Sequence, residues 1–175
     1  MEQNYVAFTR EMKPTYTILV PTMLPLHFRI LCQMFKNDGY NAVLLNDRGP
    51  EIAELGLKYV HNDTCYPALL VIGQFMKALQ SGQYDPHKVA LLLFQTGGGC
   101  RASNYISLLR KALANAGMAY VPVIPMGVAG YETHPGFQLS MGQLHKFLYA
   151  LTYGDLLMSL THQLRPRELH PGDAD

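Results

Sequence analysis

The stretch "KVALLLFQTGGGCRASNYISLLRKALANAG", Lys88 to Gly117, decides the fold. Lys88 to Gln95 is a continuous apolar run, the mark of a strand buried on both faces. "TGGGCRA" breaks it, because glycines end regular structure. "SNYISLLRKALANAG" then carries apolar residues at helical spacing, with Ser103 as a candidate N-cap and Gly117 as the stop. Strand, break and helix in that order make half of a parallel-sheet unit.

The pattern recurs along the chain. "YTILVPTM" (Tyr16 to Met23) and "NAVLLN" (Asn41 to Asn46) read as buried strands, and "YVPVIPM" reads as another. "LKYVH" (Leu57 to His61) reads as a short strand after "GPEIAELG", a turn or a single helical turn. "HFRILCQMFKNDG" and "ALLVIGQFMKALQSG" read as helices that stop near Gly39 and Gly82. "MGQLHKFLYALTYGDLLMSLTHQL" reads as one long helix in which Gly154 can introduce a bend. Repeated alternation predicts an α/β fold, a three-layer parallel sheet with helices on both faces. The expected organisation is an extended segment over 1–14, a single α/β domain over 15–165 and a polar tail over 166–175.

The totals narrow the function classes. The chain has 175 residues, enough for one domain with a substantial core. A net charge of +1 gives no basic footprint, so no nucleic-acid partner is expected. No leading positive region precedes an apolar stretch, and no run suffices to span a membrane. Three cysteines without a secretory signal argue against a disulfide framework, so a reducing cytoplasm is the expected compartment. Only 15% of residues are charged, a low share that suggests a surface partly covered by other protein.

In an open α/β sheet, ligands bind beyond the carboxyl ends of the strands. Two loops at strand–helix junctions carry a cysteine: "HNDTCYP" with Cys65 and "TGGGCRAS" with Cys100. If their strands are neighbours, both thiols stand on one sheet edge. A helix N-terminus carries about half a positive charge and unpaired N–H groups, which favours thiolate, and Arg101 adds charge. Gly97, Gly98 and Gly99 let a ligand approach the backbone closely. Three readings follow: a metal or cluster loop, a phosphate loop, or a tight turn with a buried cysteine. "TGGGCRAS" lacks both the Lys-Ser/Thr ending of a Walker loop and the spacing of the dinucleotide fingerprint. Cys32 sits in a helical apolar pattern and reads as core filler, with a supplementary ligand role as its other reading. His61 flanks the first loop as a structural histidine or a donor to a ligand.

"GLKYVHNDTCYPALLVIGQFMKALQSGQYD" and "KVALLLFQTGGGCRASNYISLLRKALANAGM" resemble the acyl-CoA dehydratase activase-related group, the large CoA-substrate-specific enzyme activases. These are similar to 2-hydroxyacyl-CoA dehydratase catalytic subunits and to double-cubane cluster proteins. The similarity continues through "VPVIPM", "HPGFQLS", "YGDLLM" and "RPRELHPGDAD", and so covers most of the chain from Phe8. The resemblance implies a flavodoxin- or Rossmann-like lobe, an iron–sulfur cluster of the [4Fe-4S] kind, and an ATP-hydrolysing activator that feeds it single electrons. It further implies acyl-CoA substrates and makes Cys65 and Cys100 the cluster thiolates. Family clusters need more than two ligands. The chain therefore reads as one lobe of a longer protein, inactive alone, with further ligands from Cys32, from other domains or from a similar α/β subunit.

Overall fold

Leu91 and Leu93 face one way and Ala90 and Leu92 the other, and all four are buried. Side chains alternate along a strand, so a strand apolar on both faces must be covered on both. The computed structural model describes residues 5–61, 63–95, 99–127 and 132–174. Four parallel strands, β1 (Thr17–Pro21), β2 (Asn41–Leu45), β3 (Val89–Phe94) and β4 (Val123–Met126), run in the order β2-β1-β3-β4. Leu19 lies opposite Val43 of β2 and Leu91 of β3, and Leu91 lies opposite Val123 of β4.

Five helices cover the two faces: α1 (Pro25–Asn37), α2 (Pro50–Tyr59), α3 (Tyr66–Gln80), α4 (Tyr105–Asn115) and α5 (Met141–Leu164). Leu19, Leu45, Leu91, Leu93 and Val123 pack under α3 and α4, with α2 outside α3. Ile18, Val20, Ala42, Leu92 and Ile124 pack under α1, with Phe147 and Ala150 of α5 against the same layer. The result is the expected three-layer α/β fold. Its strand order matches the first four positions of the doubly wound 2-1-3-4-5 arrangement, whose winding direction reverses between β1 and β3. Gly39 and Gly117 end α1 and α4 with φ of 82° and 74°, the left-handed conformation expected of a helix stop.

Three sequence expectations are corrected. Leu57 to Tyr59 is the last turn of α2, not a strand, and the preceding "GPEIAELG" belongs to the same helix. The buried positions Ile52 and Gly56 lie four apart on one helical face. Ser103 is not the cap of α4. A 3-10 turn over Arg101–Asn104 intervenes, so Asn104 takes the cap position. Gly154 makes no break in α5, which is one helix of 24 residues. Its missing Cβ instead admits the ring of His27, whose Nε2 lies 2.9 Å from Asp155 Oδ1.

The N-terminal segment is stitched into the domain. Phe8 is fully buried, its N–H donates to His134 Nδ1 at 3.1 Å, and its carbonyl accepts from Gly136 N at 2.9 Å. Among the described residues no helix is long and apolar enough to cross a membrane.

Candidate functional site

The carboxyl edge of the sheet is held rigid by two glutamines. Gln74, buried on α3, accepts from Thr22 N at 2.9 Å and donates to the Asp47 carbonyl at 3.1 Å, tying the ends of β1 and β2 together. The Thr22 hydroxyl donates to the Leu45 carbonyl. Gln95, directly after β3, donates its N–H to the Met126 carbonyl at 3.0 Å and its side-chain amide to the Ser103 carbonyl at 3.0 Å. Gln74, a buried amide satisfied at both ends, and the half-buried Gln95 fix the loops that they bridge.

Helices return antiparallel to the strands, so the N-termini of α3 and α4 lie on this same edge. Cys65 is the residue before α3, in extended conformation, and its carbonyl accepts from Ala68 N at 3.0 Å. Its side chain caps nothing and reaches outward, with Sγ 2.9 Å from the hydroxyl of Tyr105, the first residue of α4. Tyr105 is 95% buried among Leu69, Leu109 and their neighbours, which fixes the phenol under the thiol. Burial, then the bond to Cys65, then the charges of the Cys65 and Cys100 thiolates hold the phenol above its ordinary ionisation range. A phenol that keeps its proton can donate to a thiolate sulfur 2.9 Å away.

Cys100 opens the 3-10 turn and is exposed. Its Sγ accepts from Ala102 N at 3.5 Å, and its carbonyl accepts from the Ser103 hydroxyl at 2.8 Å. Arg101 crosses to the other loop and donates from Nη1 to the Asp63 carbonyl at 3.0 Å. The two cysteine loops are therefore joined twice, by Arg101 to Asp63 and by Cys65 to Tyr105. A cavity of about 260 Å³ lies where they meet, lined by Cys65, Tyr105, Arg101, Asn104 and Leu108 among others. Cys100 is not among its lining residues. The space over Gly99 is open, since a Cβ there would meet nothing within 4 Å. Gly97 and Gly98 lie outside the described residues.

The other candidates separate from this pair. Cys32 is buried under the opposite face, packed among Phe8, Phe28 and Phe35, and burial pushes its thiol up to about 11. The sheet stands between it and Cys65, so it does not join the edge site. His61 borders the cavity but is three-quarters exposed, with its ring beside Asp63. Among the described residues no three His, Cys, Asp or Glu side chains cluster as a metal-holding group.

The roles of Gln74 and Gln95 and the contact of Tyr105 with Cys65 escaped the sequence reading. The phenol–thiol pair is 40 residues apart in the chain, and neither residue type announces it. No family model matches the chain, and no curated protein matches it.

Proposed function

We propose that this chain is the cluster-binding lobe of an ATP-dependent, low-potential reductase or dehydratase-type system, of the kind the sequence resemblance implies. Cys65 and Cys100 provide two thiolate ligands for an iron–sulfur cluster of the [4Fe-4S] class. The remaining ligands come from another domain or a similar α/β subunit facing the same edge. The carrying observation is the joining of the two cysteine loops at the carboxyl edge, through Arg101 to Asp63 and Cys65 to Tyr105.

Such a cluster supplies single-electron transfer at low potential. The residues of the chain set its surroundings. Tyr105 donates a hydrogen bond to the Cys65 sulfur, which spreads the thiolate charge. Arg101 fixes the spacing of the loops and contributes positive charge. Leu108 and the body of Tyr105 form a wall that excludes water from one side. Electrons arrive from an ATP-hydrolysing activator, and the reaction belongs to acyl-CoA chemistry of the dehydratase type.

Anaerobic production of the chain with its neighbouring domain or subunit, followed by iron and sulfide analysis, tests this. Bound iron and sulfide are expected, with loss of at least about half the iron in Cys65→Ser and in Cys100→Ser. Far-UV circular dichroism should stay unchanged, because both side chains lie outside the fully buried core. Iron content indifferent to both substitutions overturns the assignment. Tyr105→Phe is expected to retain iron but move the reduction midpoint to more negative values, because one bond to sulfur is gone.

A second reading, a non-catalytic α/β scaffold with structural cysteines, is favoured by one observation: the described residues bring no third donor beside the two thiols. Iron-free protein that still binds its neighbouring domain with both cysteines replaced would support it.

A further inference from the structure

We propose that α5 and the adjoining edge of α1 form a two-fold interface with a second copy of this chain, closing a four-helix layer. On α5, Tyr149, Tyr153, Leu156, Leu160 and Leu164 are each between 45% and 73% exposed. Their spacing is 4, 3, 4 and 4 residues, the rhythm of a helix–helix seam. At about 100° per residue all five fall within a sector of roughly 80°.

The same helix has another seam, already occupied. Phe147, Ala150, Gly154, Leu157 and Thr161 repeat at 3 and 4 residues, and this is the side turned toward the domain. The centres of the two seams are about 100° apart around the helix axis. A helix with two seams near a right angle has two helical neighbours, the situation of each helix in a four-helix bundle. Here α1 is one neighbour, and the other is missing from the single chain. A second copy brings a two-helix layer of matching pattern, and a two-fold axis lets one surface satisfy itself.

The area and the charges agree. Five side chains about half exposed, each presenting on the order of 150–200 Å² when free, give roughly 400–500 Å². Two copies together would cover roughly 800–1,000 Å², the size of a weak, reversible interface, with Ile30 and Met34 in the adjoining groove between α1 and α5. Over its 24 residues α5 holds one lysine, Lys146, and one aspartate, Asp155, so little charge must be desolvated. A helix that lies on a lipid surface instead carries a polar face rich in lysine and arginine, which α5 lacks.

Sedimentation equilibrium of the full chain, with and without bound iron, provides the test. A dimer dissociating in the micromolar range is expected. Tyr153→Lys combined with Leu160→Lys should weaken association by roughly a hundredfold or more. Both positions are exposed in the single chain, so far-UV circular dichroism should not change. Leu144→Lys lies on another exposed side of α5 and should leave the dimer intact. A wild-type chain that stays monomeric at hundreds of micromolar overturns the proposal. So does dissociation by Leu144→Lys as complete as that by the double variant. Because dimerisation is read without reference to iron, its failure is distinct from failure of cluster binding.

Discussion

Gly73→Ala is expected to cost roughly 2–3 kcal/mol and to lower the melting temperature by about 5–10 °C. A Cβ at Gly73 of α3 would fall inside contact distance of the Ile52 carbonyl oxygen on α2, and one at Gly56 of α2 would meet the Leu69 carbonyl oxygen on α3. The two glycines thus let the helices touch backbone to backbone. A backbone carbonyl cannot rotate aside as a side chain can, so the helices must separate. Alanine regains about 1 kcal/mol of helix propensity, which offsets only part of the strain. Ten residues of α3 are buried, so α2 is the element that moves. Its displacement drags the connection to Cys65, so the cluster binding proposed for that residue should weaken along with stability. Urea unfolding of Gly73→Ala and of Gly82→Ala provides the comparison. Gly82 has open space around it but a φ of 75°, so alanine there should cost about 1 kcal/mol from strain alone. Equal costs at the two sites would refute the backbone-contact account.

The same pair of glycines explains why α2 was misread. The sequence reading took "GPEIAELG" as a turn, leaving "LKYVH" to stand as a strand. The true role of Gly56 depends on Leu69, a neighbour that no local window contains. By contrast, β3 was legible from "VALLLF" alone, because a strand covered on both faces needs apolar residues at every position. Strand–helix order holds for Cys100, which follows β3, but not for Cys65, which lies between α2 and α3 rather than after a strand. What could not be read was how the loops join. Arg101 to Asp63 spans 38 residues, and Gln95 is held by Met126 and Ser103 from two different elements. Sequence order placed Cys100 at the edge, and tertiary hydrogen bonds join the Cys65 loop to it.

Acidification is expected to destabilise the protein in two steps, beginning where Glu132, His134 and Arg110 meet. Arg110 on α4 donates from both terminal nitrogens to the Glu132 carboxylate at 2.6 Å, and its guanidinium carbon lies 5.2 Å from the Tyr5 ring centroid. His134, 94% buried, accepts at Nδ1 from Phe8 N, which leaves the Nε2 proton directed at Glu132 Oε2, 3.3 Å away. The histidine is neutral in this arrangement. Burial holds its pKa below the ordinary 6.5, with Glu132 only partly opposing that effect. The unfolded chain therefore takes up a proton there before the folded one, and stability falls as pH drops below about 6.5. Burial alone would raise the pKa of Glu132, but the bonds and charge of Arg110 outweigh it and hold the carboxyl below 4.5. Its contribution is complete above that value and is lost as pH falls through the folded pKa, giving the second step. Arg110→Met should cost about 2–3 kcal/mol at pH 7.5, somewhat under the usual figure for a broken buried pair because both groups keep some solvent. With its partner gone, burial should push the Glu132 carboxyl up, which shrinks or reverses the second step because the folded pKa no longer lies below the unfolded one. Urea midpoints at pH 7.5, 5.5 and 4 for the wild type, Arg110→Met and His134→Gln distinguish the groups. His134→Gln should remove the loss between pH 7.5 and 5.5 and leave the lower step in place. A wild-type midpoint that does not fall between pH 7.5 and 5.5 would exclude a buried neutral His134 as the clasp of the N-terminal segment.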